Sequence, residues 1–503
     1  MMFEERLREY IDANVPIVYI AGYDDKSAVE TILKVTGRRR VWEWNRMFGV
    51  MDRKDITGKK AVEKKEILDS DVSLEKFILS GVRDRDFDEK IVIVKDVASY
   101  LEDDDMVALF KNACLRIEEG LLDTVFIFIS STLTVPKELE KYITILEEEF
   151  LSEDGIKEKI DLFIEEQNSE IYEKLKEEMA IAFKGLSALE IDTILSLAFS
   201  KNGELTKETL DLIMEQKKQM IQKVGILEMV PIRESMEDIG GLNVLKEWIG
   251  KKAKVLNNMK EAEKFGVELP KGVLIAGVPG CGKSLNAKAT AKLFNVPLLK
   301  LDMGRLMGKY VGESEKNMRQ AISLAEAIAP CVLWIDELEK AFSGIGGNGG
   351  GAEVTTRLFG QFLTWMQDKK SAVFVVATAN DIMKLPPELM RKGRFDEIFY
   401  VQLPNAQERH KIFEIHIRKR RPMDLEKINI QELVEKTDGY SGADIEGVVK
   451  EAVENAYVKG NVEVTTTDFK EAIEATHSLK EIMGDSITEL EKQYKERKFK
   501  SAS

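Results

Sequence analysis

Eight consecutive residues, Gly277-Val278-Pro279-Gly280-Cys281-Gly282-Lys283-Ser284, carry the most specific chemistry in this sequence. The spacing G-x-x-x-x-G-K-[ST] lets backbone N–H groups close around a chain of phosphates, with the positive end of a following helix behind them. At that spacing Lys283 reaches the β- and γ-phosphates and Ser284 is a ligand for Mg²⁺. The apolar run Val332-Leu333-Trp334-Ile335 ends in Asp336-Glu337. A buried strand that delivers two carboxylates at its end suits a Mg²⁺ partner at Asp336 and a water-polarising base at Glu337. Cys281 stands at the helix start, where a thiol can be acidified into a redox sensor; the alternative is that only its backbone amide matters.

These groups need a sheet to hold them. The apolar strand Gly272–Ala276 leads into the loop and a helical pattern from Ser284 to Phe294 leaves it. Strand-like runs follow at Pro297–Leu301, Cys331–Ile335 and Ala372–Ala377, separated by helical patterns, which predicts a parallel sheet with helices on both faces. After Pro404 the pattern is purely helical. The first half runs in the same order: strand-like runs at Pro16–Ala21, Ile91–Val94 and Thr124–Ile129, then a helical region from about Ile156 to Val224. Three matches suggest duplication: Val135–Leu139 with Leu385–Leu389, Ile91–Asp96 with Cys331–Asp336, and Gly185–Ala188 with Gly439–Gly442. The alternative is an unrelated α/β domain of similar strand spacing.

Composition narrows the class. The 503 residues suggest about three compact units. A formal charge of −15 disfavours wrapping duplex nucleic acid, and the runs Arg38–Arg40 and Arg418–Arg421 read as solvated faces. Three cysteines exclude a disulfide scaffold and suit a reducing cytosol. The longest apolar run, around Ala372–Ala379, is strand-sized, so no membrane span is expected, and the first residues show no apolar signal core. Three histidines without a His-Glu-x-x-His pair exclude a zinc protease.

From Asp238-Ile239-Gly240-Gly241-Leu242, through the phosphate loop, the acidic strand, Ala377-Thr378-Ala379-Asn380 and Leu389–Asp396, to Gly439–Asp444, the order of motifs resembles the AAA clade of the AAA+ ATPases. The resemblance implies that ATP binds along Gly277–Leu285 and that Asn380 orients water against the γ-phosphate. It implies Arg391 and Arg394 as arginine fingers on a neighbouring subunit's ATP; without the family they would pass as a surface ion pair with Asp396. It places Asp238, Ile239 and Gly240 at the adenine, with Ile412 and His416 packing from the helical lid, and Gly442 and Ala443 where other clades carry a lid arginine. On its own residues, His416 reads equally as a core histidine. Tyr310-Val311, within Lys309–Glu315, resembles the first pore loop that grips a translocating protein, or else is a buried turn; Gly344–Gly351 falls where a second pore loop sits, or is a linker.

At the duplication's offsets the first half lacks the chemistry. Ala21-Gly22-Tyr23-Asp24-Asp25 has no lysine and two carboxylates where phosphate would bind. Asp96 stands at the magnesium position and Val97 at the place of the water-polarising Glu. Ser130 replaces the asparagine, and Lys141 and Thr144 replace the arginine fingers. The whole chain also resembles the hypothetical chloroplast reading frame forty-six family, on Pro16–Ile20, Val41–Trp44, Val354–Arg357 and Leu363–Met366.

The expected fold is therefore α/β: two P-loop-type parallel-sheet AAA modules in tandem, each followed by an all-α lid, the first degenerate. The expected division is residues 1–230 for the degenerate module with its lid, 231–404 for the ATPase core, 405–480 for the second lid and 481–503 for a solvated helical tail. The expected function is Mg²⁺-dependent ATP hydrolysis in a homo-oligomer, a hexameric ring, that remodels or threads a protein in the cytoplasm or a plastid stroma. The alternatives are a nucleotide-controlled switch or scaffold and a nucleic-acid-linked ATPase.

Overall fold

The computed structural model describes residues 3–21, 25–57, 60–131, 133–147, 150–306, 313–342, 351–497 and 499–503. Tyr310, Val311, Asp24 and most of the run Gly344–Gly351 lie outside them. The chain forms two compact units, Met1–Ile213 and Met214–Ser503. The division falls before the expected boundary at 230. The strand Leu227–Val230, which the expected boundary would leave in the first module, pairs antiparallel with Leu298–Leu301 and so belongs to the second sheet.

Among the described residues the first unit has seven strands: β1 Ile17–Ala21, β2 Arg40–Asn45, β3 Gly49–Thr57, β4 Lys60–Asp69, β5 Lys90–Lys95, β6 Thr124–Ser130 and β7 Ile143–Glu147, in the order β4-β3-β2-β5-β6-β1-β7. Every residue of β6 is buried, as a strand covered on both faces requires. The helices Glu153–Glu166, Glu173–Phe183, Ala188–Asn202 and Glu208–Val224 realise the helical region, the last of them running past Ile213.

The second unit has β8 Leu227–Val230, β9 Gly272–Gly277, β10 Leu298–Leu301, β11 Cys331–Ile335, β12 Val373–Ala379, β13 Glu397–Val401 and β14 Lys500–Ser501, in the order β14-β13-β9-β12-β11-β10-β8. Five adjacent strands of this sheet, β10-β11-β12-β9-β13, and five of the first, β2-β5-β6-β1-β7, share one sequence of crossovers. The helices Ala406–Arg420, Ile430–Lys436, Gly442–Val458 and Thr466–Ala475 form a lid around a core that includes Phe413, Leu433, Val448 and Phe469. Gly185 and Gly439 have left-handed φ of 85° and 82°, and each precedes a helix closed by a capping box, Ser187 with Glu190 and Ser441 with Asp444.

Strand register corrects the sequence offsets. In the first sheet, Ile91 and Ile93 face the same core as Ala28, Val29 and Ile32 of the helix Asp25–Val35. In the second, Val332 and Trp334 face the core shared with Ala287, Ala291 and Phe294 of the helix Lys283–Phe294. Side chains alternate along a strand, so shifting the comparison by one residue would move every group to the other face. Lys95 therefore stands at the place of Asp336, and Asp96 at that of Glu337. The backbone agrees: Asp96 and Glu337 both turn left-handed, with φ of 53° and 50°. The same registers place Ser131, rather than Ser130, at Asn380. Thr144 lies within β7, because it comes five positions after Leu139 whereas Glu397 comes eight positions after Leu389.

The neighbouring strand completes a charge reversal. Glu43 pairs with Ile93 as Lys300 pairs with Trp334. Lys95 Nζ lies 3.2 Å from Glu43 Oε1, whereas Lys300 Nζ lies 4.0 Å from Asp336 Oδ2. The first unit thus holds a lysine where the second holds its acid.

The expected solvated tail is also corrected. After the helix Leu479–Glu496 the chain pairs as β14 with β13, and Ala502 is wholly buried. An apolar alanine and a stacked tyrosine, Tyr494 on Tyr400, hold it to the sheet.

Glu43 is 2% exposed and faces both Lys95 and Arg53. Removing one member of a buried ion pair leaves an uncompensated charge and costs about 3 kcal/mol. Glu43→Ala is expected to lower stability by about that amount in urea unfolding, with Glu43→Met plus Lys95→Met recovering most of it. A loss near zero for the single variant would show the pair to be inert.

Candidate functional site

Between β9 and the helix Lys283–Phe294 the backbone must fold into a tight loop, and glycine makes it feasible. Gly277 has φ 142°, and a Cβ there would sit 2.0 Å from the Val401 carbonyl. A Cβ on Gly280, φ 75°, would lie 2.9 Å from Ser441 Oγ and 3.0 Å from Ala443 Cβ of the lid, and the Ala443 N–H donates to Gly280 O at 2.9 Å. Lys283 is buried and donates to Gly277 O and Val278 O, both at 2.8 Å. Burial draws its pKa down to about 8. Burial likewise pushes the Cys281 thiol up to about 11, against the pull of Lys283. That opposes the acidified redox sensor and favours the backbone reading of Cys281.

The carboxylates at the end of β11 are clamped from the next strand. Asp336 Oδ1 accepts from Ser284 Oγ at 3.0 Å and from Thr378 Oγ1 at 2.7 Å. Thr378 Oγ1 in turn accepts from the Glu337 N–H at 3.0 Å, so one hydroxyl fixes both acids. Asn380 Nδ2 donates to Glu337 Oε1 at 3.2 Å, and the Asn380 N–H donates to Glu339 Oε1 at 3.0 Å. Lys340 forms an ion pair with Glu337. The Ser284 hydroxyl beside a carboxylate is a hard oxygen set that fits Mg²⁺.

These groups open on a cleft of about 510 Å³. Pro279 through Leu285 line it, with Asp336, Glu337 and Asn380 beyond them. Gly277 and Val278 stand behind, offering carbonyls to Lys283. Asp238, Ile239 and Gly240 line the opposite end with Ile412, His416, Gly442 and Ala443. The approach is close there, since a Cβ on Gly240 would lie 2.3 Å from Ile412 Cγ1. Burial lowers the His416 pKa and so favours the neutral ring. Its Nδ1 lies 3.3 Å from the Arg420 guanidinium, which can only donate, so Nδ1 accepts.

Arg391 and Arg394 do not line this cleft. Arg394 donates to the Glu388 carbonyl, and Asp396 accepts from the N–H groups of Lys271 and Gly272 at 2.8 and 3.1 Å. Sequence reasoning missed Thr378, Gln402, Glu408 and Glu446 as cleft residues. Thr378 lies in the motif Ala377–Asn380, two residues before Asn380, and Asn405-x-x-Glu408 is a legible helix-capping pattern, but neither signals a partner in another element.

Family models match most of the chain. The family model for the ATPase family associated with various cellular activities (AAA) matches residues 273–403, and the AAA+ lid domain matches residues 427–471. Models of the SpoVK-like AAA ATPase match residues 3–148 (N-terminal domain) and 154–224 (second domain). The AAA domain-containing protein ycf46 of Guillardia theta is 35% identical over 98% of this chain and 94% of its own length. The ycf46 protein of Pyropia yezoensis is also 35% identical, over 94% of each. The proteasome-activating nucleotidase of Methanococcus vannielii is 36% identical over 51% of this chain and 63% of its own length. With such identity running nearly end to end through both sequences, the chain belongs to the ycf46 family of AAA ATPases.

Proposed function

We propose that the second unit hydrolyses ATP with Mg²⁺ and that assembled copies couple this to remodelling a protein. The observation that carries the reading is the clamp in which Thr378 fixes Asp336 and Glu337 opposite the phosphate loop. Ser284 and Asp336 would hold the cation, which when bound offsets phosphate charge. Glu337, oriented by Asn380, polarises water toward the γ-phosphate, and Lys283 leaves its two carbonyls for the phosphates. Asp238, Ile239, Gly240, Ile412 and His416 take the nucleoside.

Arg391 and Arg394 lie off their own cleft, which supports action on a neighbouring copy's ATP within a ring, a hexamer by family resemblance. The Gly280–Ala443 contact links the phosphate loop to the lid, so nucleotide state has a direct route to lid position. The shared crossover order supports reading the first unit as a degenerate AAA module, and Lys95 at the acid's place supports its binding no nucleotide. Its role is then assembly, docking or regulation. A protein substrate is favoured by the net charge of −15 and by the likeness to a proteasome-activating nucleotidase. By family resemblance we place the chain in cytoplasm or plastid stroma. No described helix is long and apolar enough to cross a membrane.

Glu337→Gln is expected to bind ATP like the parent while kcat falls at least about a hundredfold. Retained turnover, followed as phosphate release, would remove Glu337 from the reaction. Arg394→Ala is expected to abolish turnover in the assembled protein while leaving the affinity of a dilute single copy for ATP unchanged.

Lys283 supplies a pH test. Burial holds its pKa at about 8, and phosphates beside it would raise it. Affinity for ATP is then full below that value and declines as pH rises through it, with proton uptake on binding just above it. Calorimetric titration in buffers of differing ionisation heat measures that uptake. Buffer-independent heats there would contradict the role given to Lys283.

A further inference from the structure

The helix Asn243–Asn257 starts directly beyond the nucleoside wall of the cleft, and no side chain of its own caps it. The two residues before it, Gly241 and Leu242, are both left-handed, with φ of 76° and 57°. A leucine stays there only if its surroundings hold it. The free N–H groups of this helix start also need acceptors.

Both needs are met from distant parts of the sequence. The Leu242 N–H donates to Glu408 Oε1 at 3.1 Å, and the Leu245 N–H donates to the Ala502 carbonyl at 3.1 Å. The Ser503 hydroxyl donates to the same Glu408 Oε1 at 2.7 Å. Glu408 lines the cleft and is held by its other oxygen, which accepts from the Asn405 N–H at 3.0 Å. The segment that reaches it is itself fixed: the Ala502 N–H donates to Tyr400 O at 2.9 Å, and Tyr494 stacks on Tyr400 with centroids 3.8 Å apart.

We infer that Ala502 and Ser503 are positioning residues of the nucleotide cleft, capping the helix Asn243–Asn257 and fixing the Gly241–Leu242 turn that sets Asp238–Gly240 against Ile412. The inference rests on the cleft being the ATP site. The phosphate end is built by other elements, so losing this cap loosens the nucleoside end alone.

The test uses the full chain, Ser503→Ala, a variant lacking residues 500–503, and Ser503→Thr, which keeps the hydroxyl. Hydrogen exchange across residues 238–248 is measured without ligand, beside titrations with ATP and with inorganic tripolyphosphate. Exchange across this segment should quicken in the first two variants, and their ATP dissociation constants should rise about fivefold, the scale of one lost hydrogen bond. Tripolyphosphate affinity and kcat should hold, and Ser503→Thr should restore the parent behaviour. Unchanged exchange in both, or equal losses for ATP and tripolyphosphate, would overturn the inference. If the shortened variant fails to fold, the Ser503→Ala and Ser503→Thr pair decides by the same readouts. A parent chain that binds no ATP would instead sink the proposed function, while the exchange data still report whether residues 502 and 503 hold the turn.

Discussion

The alternation of side chains along β11 is the constraint on which the active unit depends. It sends residue 336 to the face of the helix that carries the phosphate loop, where Ser284 and Thr378 both donate to one oxygen of Asp336. The next residue cannot follow the strand without turning its carboxylate to the other face. The left-handed φ of 50° at Glu337 resolves this, and the hydrogen bond from its N–H to Thr378 holds the turn. Two acids one residue apart thereby serve one cleft, and a strained backbone position persists because neighbours over-determine it.

The same turn recurs in the first unit, at Asp96, around different charges. There the acid position holds Lys95, neutralised from the adjacent strand by Glu43, and the second unit has the opposite signs at the same two places. A sheet keeps its crossovers and its turn because packing on two faces demands them. The polar groups at its edge are freer to change, provided that any buried charge keeps a partner. One unit has its opposite charge built in. The other keeps acids that suit a bound cation.

Much of this was legible in the residues. The phosphate loop, Asp336, Glu337 and the strand–helix alternation follow from spacing and apolar runs, because each is local in sequence. The one-residue error at Asp96 arose because letters were matched, an acid after an apolar run, whereas register is decided by which face of β5 meets the helix Asp25–Val35. Glu408 and residues 500–503 were missed for a related reason. Their partners lie in other elements, Leu242 for Glu408 and Leu245 for Ala502, and nothing in a capping pattern or a charged tail announces such pairing. Arg391 and Arg394 show the converse: their motif is plain in sequence, while the cleft of their own chain gives them no place.

The central claim is that one unit of each chain is built for nucleotide and the other is built against it. Counting bound nucleotide tests this most directly, by equilibrium titration of the hydrolysis-deficient full chain with MgATP and native mass spectrometry of the saturated protein. The account predicts one ATP per chain, lost on replacing Lys283. Two per chain, or one that persists without Lys283, would contradict it.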